Sequence, residues 1–123
     1  MTARTILVAD DEPDNRAIMA AVLGASGYRV CEAADGEEAV ALALSELPDL
    51  ILLDMAMPGV SGWEAVRRIK AMPQTRDIPV FAFTAFALAG DELKAKEAGC
   101  EGYISKPCIP KEVVGKIRDR VGQ

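Results

Sequence analysis

The stretch Thr5–Asn15, "TILVADDEPDN", drives an aliphatic segment straight into Asp10, Asp11 and Glu12, where self-repulsion is worst. Its first half has the length and β-branched content of a short buried strand. Pro13 then stands where the first turn of a helix tolerates a missing N–H. A strand, an acidic turn and a helix start follow one another without a spacer.

The same order recurs along the chain. Short apolar runs at "YRVCEA" (28–33), "LILLD" (50–54), "PVFAFT" (79–84) and "GYIS" (102–105) read as four more strands. Helical spacing follows each strand. Ile18, Met19, Val22 and Leu23 mark the first helix face. Ala39, Val40, Leu42, Ala43 and Leu47 mark the second, and Trp63, Val66, Ile69 and Met72 the third. A weaker pattern spans Leu88 to Ala98, and a fifth runs through Val113, Val114, Ile117 and Val121. Ser61 with Glu64 forms a capping-box pattern at the start of the third helix. Gly24, Gly27, Gly99 and Gly102 punctuate helix exits and turns, while Pro48, Pro73, Pro79 and Pro107 stop helices.

Alternating strands and helices, with "ILLD" apolar throughout, predict an α/β fold with a parallel sheet covered on both faces. Five such units imply a doubly wound, flavodoxin-like sheet with strand order 2-1-3-4-5. Ligands bind such sheets beyond the carboxyl ends of the strands, where the winding reverses.

Composition narrows the function. The 123 residues suit one domain, residues 1–123. No apolar run approaches the ~20 residues of a membrane span, and the amino terminus lacks the length of a secretory core, so a cytoplasmic protein without membrane contact is expected. A net charge of −5 argues against direct nucleic-acid binding, which needs clustered Lys and Arg. Histidine is absent, which removes imidazole catalysis and imidazole metal sites. Cys31, Cys100 and Cys108 make no C-x-x-C pair and read as free thiols.

The predicted topology gathers Asp10, Asp11, Asp54, Thr84 and Lys106 on one rim. Taken singly, each has a plain explanation as a helix cap or a solvated charge. Together, three carboxylates repel strongly, each pair at ~4 Å costing about 4 kcal/mol at an effective dielectric of about 20. Lys106 offsets one charge. A divalent cation offsets the rest, and an all-oxygen donor set suits Mg²⁺, with Mn²⁺ as a substitute. Asp54 can also act as a nucleophile toward phosphorus, since phosphoryl transfer demands mainly positioning and charge neutralisation.

The stretches "VADDEPDN", "LILLDMAMPGVSGWE", "VFAFTAFA" and "GYISKP" stand in the order found in a known family. Along nearly its whole length the chain resembles the receiver domain of two-component response regulators, of the stand-alone type with no output domain. The resemblance implies that Asp54 accepts a phosphoryl group from a sensor histidine kinase or a histidine phosphotransfer protein. It implies that Asp11 and Asp54 hold Mg²⁺ with the Ala56 carbonyl, that Asp10 supports the metal's waters, and that Thr84 and Lys106 grip the phosphoryl group. Thr84 and the strand-five aromatic Tyr103 become the switch pair, whose ordinary alternative is a half-buried tyrosine with its hydroxyl in water. The fourth helix, fifth strand and fifth helix become the face that docks a downstream protein target, with Phe86 and Leu88 at its edge. Such a domain assists its own phosphorylation and dephosphorylation and is not otherwise an enzyme. Ala56 places no side chain two positions after Asp54 and leaves the phosphate lifetime open.

Three rivals share parts of this pattern. A flavin module has the architecture, but Asp10, Asp11 and Glu12 would repel a cofactor phosphate where N–H donors are needed. A Mg²⁺-dependent aspartyl-phosphate hydrolase shares the nucleophile, threonine and lysine, yet needs a second acid where Ala56 stands. A non-phosphorylated docking module leaves the complete residue set unexplained.

Overall fold

Alternation along the strands determines how the sheet is covered. The computed structural model describes residues 3–55, 57, 59–84, 91–105 and 110–122, with Thr84, Asp91 and Ser105 described by their backbone alone. Strands β1 (Thr5–Ala9), β2 (Arg29–Ala33), β3 (Leu50–Asp54), β4 (Val80–Thr84) and β5 (Gly102–Ser105) alternate with helices α1 (Pro13–Ala25), α2 (Gly36–Glu46), α3 (Gly62–Ala71), α4 (Asp91–Ala98) and α5 (Pro110–Val121). All strand pairs are parallel, and the order is β2-β1-β3-β4-β5. This is the doubly wound sheet that the sequence implies.

Ile6, Val8, Leu50, Leu52, Phe81, Phe83 and Ile104 face Met19 and Leu23 of α1 and Val113, Val114 and Ile117 of α5. Their alternate neighbours Leu7, Ala9, Ile51, Leu53, Val80 and Ala82 face α2, α3 and α4 through Ala39, Ala43, Ala65, Val66, Ile69 and Ala95. Central β3 is buried along its entire length, which is why "LILLD" does not alternate with polar residues.

Helix faces are narrower than the apolar spacing suggests. Ile18 is 54% exposed. At about 100° per residue it sits about 120° around the helix from the centre of the Met19–Leu23 stripe, the farthest of the four apolar positions and turned away from the sheet. Leu47 is 56% exposed because α2 ends at Glu46 and Leu47 takes a left-handed φ of 45°, which swings it off the Ala39–Ala43 stripe. Gly24 lies within α1 rather than at its exit, and Gly102 opens β5. The capping pattern holds on one side, with Ser61 Oγ accepting from the Glu64 N–H at 3.3 Å. Trp63 is partly buried and carries Lys94 over its ring, 4.5 Å from the centroid.

A clasp absent from the sequence reading closes the amino end of the sheet. Lys70 Nζ donates to the carbonyls of Arg76 and Ile78 at 3.1 and 2.8 Å and to both Glu101 carboxylate oxygens at 3.1 and 2.9 Å. Glu101 in turn accepts from the Val80 N–H at 2.8 Å. One ammonium thus ties α3, the start of β4 and the turn before β5. Lys70→Met strands several half-buried acceptors and is expected to cost about 2 kcal/mol. A lower urea midpoint at unchanged slope is the expected signature; an unmoved midpoint would count against the clasp.

Cys31 and Cys100 are free thiols, as expected, while Cys108 lies outside the described residues. Burial, reinforced by the neighbouring Glu101 charge and opposed by Lys70, pushes Cys100 up from 9.0 to about 11. The native thiol therefore keeps its proton where the unfolded chain releases it. Stability is expected to fall as pH rises from about 9 to about 11, and a Cys100→Ala variant should lose part of that slope in urea titrations.

Candidate functional site

Two strand ends and one turn bring three carboxylates together. β1 delivers Asp10 and Asp11 immediately after Ala9, and neighbouring β3 ends on Asp54, with Ala9 paired to Leu53. One carboxylate oxygen from each of Asp10, Asp11 and Asp54 lies within 4.8 Å of the others. Asp10 is only 3% exposed and Asp54 only 5%, while Asp11 is half-buried. The rim position follows from the sheet, since both strands are parallel and end at the same level.

The turn carrying the acids is held on several sides. The Asp10 N–H donates to the Ala33 carbonyl at the end of β2 at 3.1 Å. Asp10 Oδ1 accepts from the Glu12 N–H at 2.9 Å. The Asp10 carbonyl accepts from Arg16 Nη1 at 2.7 Å. Sequence reasoning missed Arg16, because nothing in its spacing shows that its side chain reaches back from α1 to the Asp10 carbonyl.

Met55 and Val60, which follow Asp54, are each approached closely by a glycine at a helix start. A Cβ on Gly62 would collide with the Met55 Cα and lie 2.7 Å from the Asp54 carbonyl oxygen. A Cβ on Gly36 would collide with the Val60 carbonyl oxygen and come within 2.9 Å of its carbon. The α3 start therefore packs directly on Met55 and the α2 start on Val60, and only glycine permits either approach. The Met55 N–H adds a bond to the Phe83 carbonyl at 3.3 Å.

Thr84 ends β4, paired with Ser105 of β5. Ala56 and Lys106 lie outside the described residues, as do Phe86 and Leu88. Tyr103 pairs in register with Ala82, two positions before Thr84, and packs against the core on the α4 side. Its hydroxyl is buried, contrary to the water-facing alternative.

The carboxylates supply hard oxygen donors only, with no thiolate or imidazole among them. That donor set fits Mg²⁺, which takes one or two carboxylates and keeps several waters. Among the described residues no helix is long and apolar enough to cross a membrane.

Comparison with known proteins places this arrangement. The response regulator receiver domain model matches residues 6–118. The polar-differentiation response regulator DivK of Brucella anthropi is 38% identical over 119 residues, 97% of each protein. The phosphate regulon transcriptional regulatory protein PhoB of Pseudomonas aeruginosa is 39% identical over 118 residues, 96% of this chain, and the chain spans about half (52%) of that relative. Among solved structures, the receiver domain of the Pseudomonas aeruginosa sensor histidine kinase PA1611, with a magnesium ion coordinated in its active-site cleft, superposes with a TM-score of 0.89. It is 35% identical and covers 99% of this chain and 100% of that one. With the sheet order, the acidic rim and a family match over nearly all its length in agreement, the chain belongs to the response regulator receiver domains of two-component signalling.

Proposed function

We propose that this domain, residues 1–123, is a phosphoacceptor whose Asp54 takes a phosphoryl group from a phosphohistidine on a sensor histidine kinase or a histidine phosphotransfer protein. The observation that carries this reading is the convergence of Asp10, Asp11 and Asp54 within 4.8 Å, two of them buried. Such a cluster is electrostatically costly on its own and serves no packing purpose. Asp10, Asp11 and Asp54, with the Ala56 carbonyl, would hold Mg²⁺ or Mn²⁺. When bound, the cation supplies charge neutralisation for the transferred group.

In the transfer itself, an Asp54 carboxylate oxygen forms the new P–O bond as the P–N bond to the donor imidazole breaks. The leaving nitrogen keeps the electron pair and takes up a proton. Thr84 and Lys106 contact the remaining phosphoryl oxygens. The inward-turned Tyr103 next to β4 supports a switch in which Thr84 moves toward the phosphoryl group and the aromatic ring occupies the space it leaves. The face formed by α4, β5 and α5 then presents the altered surface to a downstream protein in the cytoplasm.

The test incubates the protein with a small phosphodonor in Mg²⁺ or in EDTA and measures intact mass. One phosphoryl group gained only with the cation supports the reading. Turnover of many phosphate esters per protein would favour the aspartyl-phosphate hydrolase instead, and no gain under any condition would leave a docking module.

A further inference from the structure

We propose that Arg16 is a positioning residue for the acidic site, holding the turn between β1 and α1 in the geometry that accepts a divalent cation. The inference rests on the phosphoacceptor reading and adds to it a residue outside the set that binds or reacts. Arg16 enters α1 through its N–H bond to the Glu12 carbonyl at 3.0 Å. Its guanidinium then reaches back across the turn, Nη1 donating to the Asp10 carbonyl at 2.7 Å and Nε to Glu32 Oε1 at 3.3 Å. That carbonyl belongs to the peptide joining Asp10 to Asp11. Fixing it therefore sets the relative placement of two of the three carboxylates.

Glu32 is what aims the guanidinium. It stands on β2, whose partner across the ladder is Val8 of β1, so the fork is anchored on a strand rather than on the turn it holds. The Arg16 side chain is 19% exposed against 48% for Glu32, consistent with a guanidinium drawn in over the turn while its partner faces water. A planar guanidinium can serve both partners at once, whereas an ammonium acts as a point charge.

Charge and position make opposite predictions. If Arg16 acted only through its charge, removing it would leave Glu32 unpaired near three acids, and a divalent cation would bind more tightly. If it acts by holding the turn, removing it loosens the site and binding weakens. Because Glu32 already compensates the guanidinium, the field of the pair at the carboxylates is small, and position dominates.

Calorimetric titration with Mg²⁺ alone separates the two. Arg16→Met is expected to raise the Kd about tenfold, at the lower end for residues that orient metal ligands. Arg16→Lys should recover part of that loss, and Arg16→Met combined with Glu32→Gln should bind as weakly as Arg16→Met, with unfolding in EDTA reporting that each variant is folded. A Kd equal to or below that of the unaltered protein in Arg16→Met overturns the proposal. Should that variant not fold, an unchanged Kd in Arg16→Lys overturns it equally, and a raised one supports it. Absence of Mg²⁺ binding by the unaltered protein removes the phosphoacceptor reading and this inference together.

Discussion

Asp54→Asn is expected to abolish the mass gain from a small phosphodonor, a loss of at least 100-fold in labelling rate. In the proposed transfer the carboxylate oxygen is the attacking atom, and a neutral amide is a poor nucleophile of the same shape. Asp54 is 5% exposed at the end of a fully buried strand, so the isosteric change leaves the fold in place. The substitution also removes one of three charges that attract a cation. The rise in unfolding temperature on adding Mg²⁺ to the unaltered protein, which follows from ligand linkage, should shrink in the variant. Labelling that persists at full rate in Asp54→Asn would show that phosphate goes elsewhere.

Gly62→Ala is expected to damage both stability and labelling. The new methyl meets the Met55 Cα and stands 2.7 Å from the Asp54 carbonyl oxygen. Both are backbone atoms and cannot rotate away. Relief requires the start of α3 to retreat from the end of β3, at a cost of about 3 kcal/mol. That outweighs the gain of up to about 1 kcal/mol in helix propensity from Gly to Ala. The displaced segment carries Asp54, the proposed phosphoacceptor, and a misplacement of about 1 Å can cost about 100-fold in rate. Gly24→Ala is the control, because a Cβ there meets nothing within 4 Å. It should stabilise α1 by about 0.5–1 kcal/mol and leave labelling unchanged. Equal effects of the two substitutions in urea titrations would mean that the close approach at Gly62 has no consequence.

The contrast between these two glycines shows what a sequence conveys and what it withholds. Strand positions were legible because five short apolar runs are each followed by a helical pattern, and side chains that point alternately to either side of a strand assign the two faces. The carboxylate trio was legible because parallel strands end on one rim, so Asp10, Asp11 and Asp54 had to meet once the order was known. Apolar spacing puts Ile18 and Leu47 on helix faces, because it shows which residues share a helix side. It does not show how wide a strip the sheet covers, nor that Leu47 would turn left-handed at the helix end. Arg16, Gly62 and the Lys70–Glu101 clasp were invisible for a common reason: each acts on a partner whose proximity is created only by the assembled sheet.

The most direct test is anomalous diffraction from crystals grown with abundant Mn²⁺. A single strong peak between the Asp10, Asp11 and Asp54 carboxylates, at oxygen distances near 2 Å, is the expected result. Acids splayed into solvent, with no peak among them, would contradict the claim that a cation is what makes their crowding tolerable.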